Sequence, residues 1–279
     1  MILAFVEAVK NIKNVVVDPI KIANRNSTMN KLAKIDQLKQ QISLLRPLSI
    51  SEVKRLREEF VIESSYNSNA IEGNTITLRE TALILKEGVT IAEKPIQEHL
   101  DIIGFKDAFH YIYELVANNE ILSERTIKDI HSLVLMNDAQ NRGVYRKIPV
   151  RILGAENEPT VPYLIAEEMA SLIANYQQKL TAYHPLEAIS WLHLAFENIH
   201  LFIDGNCRTG RLLLNFELLK QGYLPVDIKF TDRGKYYQCF DEYHKNGQDI
   251  QPLLNLIADY ELKELERYLA ILLGTQTKN

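Results

Sequence analysis

Cysteine is nearly missing from this 279-residue chain: Cys207 and Cys239 are the two it has, and they share no metal-ligand spacing. A disulfide framework and a cysteine-built metal centre are both excluded. Long apolar runs are missing as well. No stretch approaches the roughly 20 consecutive apolar residues that span a bilayer, so the chain is expected neither to cross a membrane nor to be anchored in one. The apolar run over residues 1–17 is broken by Glu7 and by lysines, which argues against a secretory leader and for a reducing, cytoplasmic setting. Nor is either charge in excess: 32 basic residues against 36 acidic give a net charge of −4, which leaves no basic footprint for nucleic acid. Any phosphate must then be held locally. Linkers, low-complexity runs and internal repeats are absent too, and 46% hydrophobic residues over this length can bury one large core or two modest ones.

What remains reads almost entirely as helix. Leu32, Ile35, Leu38, Ile42 and Leu45 recur at the three-and-four spacing of one helical face. Pro47 closes that segment, and Ser49 or Ser51 can cap a second helix that runs to Ala70 and ends in the turn residues Glu72, Gly73 and Asn74. Further helices are expected over 77–85, 95–117, 123–135, 164–180, 185–198, 206–222, 235–244 and 250–273. The exception lies between Gly143 and Tyr163. There 149–153 is β-rich and 160–163 can return beside it across a turn at 154–159, which predicts a short exposed hairpin. The fold class is therefore all-α, with an N-terminal helical region over 1–95 and a second region over 96–279.

Chemistry concentrates between two strongly apolar helices, in the run His200-Leu201-Phe202-Ile203-Asp204-Gly205-Asn206-Cys207-Arg208-Thr209-Gly210-Arg211. A loop running straight into a helix presents free N–H groups and the positive end of the dipole, and Gly205 lets a ligand approach the backbone closely. Arg208 and Arg211 share one face of the first turns. Two arginines there oppose the dipole unless a polyphosphate bridges them, and guanidinium forks match phosphate oxygens. Asp204 can hold Mg²⁺ shared with those phosphates, and His200 can accept a proton from an incoming hydroxyl.

These residues resemble the signature of the Fic family, His-Pro-Phe-x-(Asp/Glu)-Gly-Asn-Gly-Arg-x-x-Arg. The resemblance implies a Fic-type helical core and an enzyme that transfers AMP from ATP to a Ser, Thr or Tyr hydroxyl of another protein. It further implies that His200 is the base, that Phe202 packs into the core and that Asp204 binds Mg²⁺. Nucleotide contacts are implied over Gly205, Asn206, Cys207, Arg208, Thr209, Gly210 and Arg211. Of these, Asn206 and Arg208 face the α- and β-phosphates and Arg211 the γ-phosphate. The chain departs from the pattern twice: Leu201 stands for a loop-stiffening proline, and Cys207 for a glycine whose lack of a Cβ keeps the cradle of N–H groups open.

A second run, Ser68-Asn69-Ala70-Ile71-Glu72-Gly73, resembles the family's inhibitory motif, placed N-terminal to the catalytic one on a helix over about 51–73. The resemblance implies that Ser68, Glu72 and Gly73 form an inhibitory element in which Glu72 pairs with Arg211 and denies it to the γ-phosphate. The hairpin, near Ile152 and Tyr163, resembles the family flap on which a protein target docks as an added strand. Tyr236, Tyr237 and Asn246 resemble the adenine wall. His131, His184 and His193 read as surface or satisfied core histidines. Two other functions stay open: metal-dependent removal of AMP, with Glu72 orienting water, and a nucleotide-binding regulatory module in which Cys207 weakens catalysis. The apolar faces near both termini leave room for a homodimer.

Overall fold

The computed structural model describes residues 19–45, 47–152 and 158–274. Among them it forms ten α-helices, two short 3-10 turns and no strand. The helices are α1 (Pro19–Ser43), α2 (Ile50–Ile71), α3 (Leu78–Glu87), α4 (Ile96–Ala117), α5 (Glu124–Val134), α6 (Ile165–Ala182), α7 (Pro185–Ile199), α8 (Asn206–Lys220), α9 (Arg233–Lys245) and α10 (Gln251–Leu272). None is long and apolar enough to cross a membrane among the described residues.

Helix α8 is the axis of the molecule. It packs against α2, α4, α5 and α7, and every residue from Arg208 to Leu218 is buried, so it has no solvent face. Leu212, Leu213, Leu214 and Phe216 meet Phe105, Phe109 and Ile112 of α4, Ile127 and Ile130 of α5, and Leu192 and Phe196 of α7 in one continuous cluster that extends from Leu32 to Leu265. Two of the polar residues that α8 drags inside find partners from other elements. Asn215 exchanges hydrogen bonds with the backbone of Val226, and Glu217 accepts from the Tyr176 hydroxyl at 2.7 Å.

Helix α2 lies across the end of this core. Ser49 and Glu52 form a reciprocal capping box at its start. At its other end Gly73 takes φ 95°, which a side chain would resist, and the chain turns sharply after Glu72. The turn is tied to α4: the Asn74 amide donates to the Glu98 carbonyl at 3.0 Å, while the Thr75 N–H and hydroxyl donate to the Glu98 carboxylate at 2.9 and 2.8 Å.

The expected hairpin is not formed among the described residues. Its turn lies partly at 153–157, outside them, but the flanking arms carry no strand pairing, and Pro162–Leu164 is a 3-10 turn. Two causes act together. Pro149, Pro159 and Pro162 lack the N–H that a ladder needs. Arg146, buried between the arms, then takes their carbonyls for itself, donating to Ile148 at 3.1 Å and to Thr160. One guanidinium joins the arms where a ladder was expected.

Candidate functional site

The loop from His200 to Gly205 is shaped by its own residues. His200 ends α7 in the left-handed region at φ 51°, which turns the chain out of the helix. Arg146 stabilises that turn by donating through Nε to the His200 carbonyl at 2.7 Å. Asn206 closes the other side: its amide oxygen accepts from the Phe202 N–H at 2.8 Å and its amide nitrogen donates to the Phe202 carbonyl at 2.9 Å. With its side chain used this way, Asn206 can offer an anion its backbone N–H. Gly205 follows at φ 74°, and the first helical bond of α8 runs from the Thr209 N–H to the Gly205 carbonyl at 3.0 Å. The N–H groups of Asn206, Cys207 and Arg208 therefore lie at the open helix end, as an anion cradle requires.

Around this end the charges are arranged in pairs. Arg211, 4% exposed, donates through Nη2 to the Glu72 carboxylate at 2.8 Å and to the Ser68 carbonyl at 2.8 Å, and through Nε to the Ser68 hydroxyl at 2.9 Å. Burial pulls its pKa down, but the Glu72 carboxylate, together with Tyr236 and Cys207, more than offsets this, so the guanidinium stays charged. Arg208, 5% exposed, pairs with Asp101 of α4 at 2.9 Å and reaches the Asn69 amide oxygen at 3.4 Å and Asp204 at 3.6 Å. Each arginine thus meets a carboxylate brought from another helix. Even so, Arg211 Nη1, Arg208 Nε and the Thr209 hydroxyl are buried without a hydrogen-bond partner among the described residues. Unpaired buried guanidinium N–H groups beside an open helix N-terminus are donors that a phosphate oxygen can satisfy.

Burial holds the His200 pKa down at about 4, with Arg146 adding to the effect and Asp204 and Glu72 opposing it. The imidazole is neutral at physiological pH and can accept a proton. Asp204 is the most exposed residue of the loop: its side chain is 70% exposed and one oxygen accepts the Gly205 N–H at 2.6 Å. Cys207 is half-buried in regular helical backbone, so the absent glycine costs no strain. Its thiol interacts with the Glu197 carboxyl, and burial raises both the thiol pKa and that of Glu197, the latter to about 7. Gly210 faces the same carboxyl; a Cβ there would come within 2.0 Å of Glu197 Oε1.

The three aromatic-side residues separate. Tyr236 is buried beneath Arg211, with the guanidinium 5.7 Å from its ring centre, and bonds His193 at 2.7 Å. Tyr237 is partly exposed and reaches the Ile71 carbonyl at 3.4 Å, beside the end of α2. Asn246 is exposed, bonds Glu242, and lines a surface recess with Arg25 and Trp191, so no contact brings it to the loop. Ser68, Glu72, Arg208 and Arg211 are brought together. Asp101, Asn69, Arg146 and Glu197 were not singled out as site residues from sequence. Asp101 had one usable signal, an acid inside the apolar run Leu100-Asp101-Ile102-Ile103.

A buried central helix whose open N-terminus is ringed by paired arginines, a neutral histidine and an exposed carboxylate defines a helical domain with a candidate anion site at one helix end. Residues 121–218 match the model of the Fic/DOC family. Over 266 residues the chain is 31% identical to the protein adenylyltransferase Fic of Nematostella vectensis, covering 91% of this chain and 61% of that one. Against the protein of the same name from Aedes aegypti it is 32% identical over 262 residues, covering 89% and 51%. The chain thus spans about half to three-fifths of the length of these curated relatives. Among solved structures, a Fic domain containing signaling protein from Bacteroides thetaiotaomicron superposes with a TM-score of 0.79 at 25% identity, over 89% of this chain and 100% of that one. Fic-1 from C. elegans gives 0.78 at 27% identity, over 90% and 74%. The chain thus carries a Fic/DOC family region over residues 121–218 within a fold shared with these Fic structures.

Proposed function

We propose that the protein transfers AMP from ATP to a Ser, Thr or Tyr hydroxyl of another protein, and that Glu72 holds it inhibited by occupying Arg211. The observation that carries this reading is the pairing of Arg211 with Glu72 at 2.8 Å, beside an open helix end where Arg211 Nη1 and Arg208 Nε have no partner among the described residues. A carboxylate and a phosphate compete for one guanidinium fork. The names of the similar proteins point the same way.

In this reading the triphosphate lies along the N–H groups of Asn206, Cys207 and Arg208, with Arg208 and Arg211 neutralising charge. Gly205, Thr209 and Gly210 shape the cradle, and Tyr237 offers an exposed ring near the base. Neutral His200 takes the proton of the target hydroxyl. As the oxygen–phosphorus bond forms at the α-phosphorus, the bond to the bridging oxygen breaks and pyrophosphate leaves. Catalysis is mostly positioning and charge stabilisation. The donor set suits Mg²⁺: one exposed carboxylate, Asp204, and substrate phosphates match a cation that keeps most of its water. Bound there, the ion would neutralise phosphate charge. The target chain would approach beside Ile148, Val161 and Tyr163, which are exposed on the arms joined by Arg146. Region 1–95 supplies the inhibitory helix.

Removal of AMP is the second reading. It would use the same Glu72, whose side chain is one-third exposed beside Arg211, to orient the attacking water. Incubation with α-labelled ATP and Mg²⁺ separates the two. Strong protein labelling by Glu72→Gly, weak labelling by wild type and none by Glu72→Gly with His200→Ala supports transfer. A silent Glu72→Gly that still binds ATP overturns it.

A further inference from the structure

His131 has no part in the chemistry above, yet it touches the loop at two points and a neighbouring segment at a third. It is fully buried on α5. Its Nδ1 lies 2.8 Å from the Gly143 N–H, which can only donate, so Nδ1 is an acceptor. Nε2 therefore carries the hydrogen, and it lies 2.9 Å from the Asp204 carbonyl, which can only accept. The ring stacks on Phe202 with centres 3.5 Å apart and planes 4° from parallel. Burial keeps this imidazole neutral, consistent with that single tautomer.

We propose that His131 is a positioning residue for nucleotide transfer, which clips the Phe202–Gly205 turn so that the Asp204 carboxylate and the first N–H groups of α8 face the nucleotide. The inference rests on the transfer reading above. The Asp204 carbonyl belongs to the peptide that leads into Gly205, so the bond from Nε2 sets the plane from which α8 departs. A Cβ at Gly205 would lie 3.3 Å from His131 Nε2 and would press against the clip. At its other nitrogen His131 holds Gly143, three residues before Arg146. Arg146 in turn donates to the His200 carbonyl at 2.7 Å. One ring thus ties the segment that supports the base to the peptide that carries the acidic residue.

Two amide replacements separate this role from packing. Glutamine places its Nε2 donor where the histidine Nε2 stands; asparagine reaches only the Nδ1 position. Both remove the ring. In the Glu72→Gly background, His131→Gln is expected to keep kcat within about threefold of the parent. His131→Asn is expected to lose kcat by roughly 100-fold, the scale of an ångström-sized misplacement, with a much smaller change in KM for ATP. Equal losses in both, or losses that follow only the folded fraction, overturn the proposal. If either fails to fold, His131→Phe retains the stacked ring and is expected to behave as asparagine does. Hydrogen exchange at Asn206–Arg208 without nucleotide reads the clip independently of activity. It is expected to quicken in His131→Asn and not in His131→Gln, and unchanged exchange in both overturns the clip. If the Glu72→Gly parent fails to transfer AMP, it is the transfer reading that falls, and exchange alone decides the clip.

Discussion

Glu197 shows how a single buried group can set a pH dependence. Its carboxyl is packed against Gly210 and Cys207, one oxygen has no partner among the described residues, and burial lifts its pKa from the ordinary 4.5 to about 7. Between those values the folded chain holds a proton that the unfolded chain has lost. Stability is then greatest below about 4.5 and is lost as pH rises through 7. Glu197→Gln, which mimics the protonated form, should flatten the fall in Tm between pH 5 and 8 and stabilise the protein at pH 8 by on the order of 2 kcal/mol. Thermal melts across that range check it, and a parallel shift at all pH values would contradict it. Gly210 beside it reverses the usual ranking. Alanine gains about 1 kcal/mol over glycine in an open helix, but here its Cβ would meet Glu197 Oε1 at 2.0 Å. Gly210→Ala should therefore destabilise by roughly 1–3 kcal/mol, as overpacked sites do, measurable by denaturant unfolding.

At the scale of elements, helices were legible in the sequence and the flap was not. Leu32, Ile35 and Leu38 repeat with the helical period, and all three are buried. Ser49 and Glu52 stand at capping-box spacing, and both cap bonds are made. Periodicity and caps act within a few residues, so one chain segment suffices to show them. No strand forms in the described arms of the expected flap, where the carbonyls of Ile148 and Thr160 are claimed by Arg146, a side chain that sequence pattern cannot aim. The Arg208 site partners were illegible for a related reason: Asn69 reaches Arg208 across 139 positions, and Asp101 arrives from α4. The same element scale suggests how α2 is held. The turn after Glu72 is fastened by Glu98 through Thr75. Glu98→Ala should loosen that end and raise the weak AMP transfer of the otherwise wild-type chain several-fold, scored with α-labelled ATP; unchanged labelling would show that the fastening does not restrain Glu72.

For the whole molecule, the proposed inhibition is a balance between two occupants of one buried arginine. Deleting one partner of a fully buried ion pair costs about 3–5 kcal/mol. Glu72 is one-third exposed and Ser68 still bonds Arg211 without it, so the cost here is smaller, roughly 1–3 kcal/mol. At about 2–4 °C per kcal/mol for a chain of this size, Glu72→Gly should melt several degrees below wild type. Ligand binding to the folded state should return the difference, since Mg-ATP then occupies the fork that Glu72 left. A larger Mg-ATP shift in Glu72→Gly than in wild type is expected from scanning calorimetry.

The most direct test keeps the shape of Glu72 and removes its charge. AMP transfer from α-labelled ATP by Glu72→Gln should approach that of Glu72→Gly and far exceed wild type, because an amide leaves Arg211 without a counter-charge for the phosphate to displace. If Glu72→Gln stays as silent as wild type while Glu72→Gly is active, bulk rather than charge blocks the site, and competition for Arg211 is wrong.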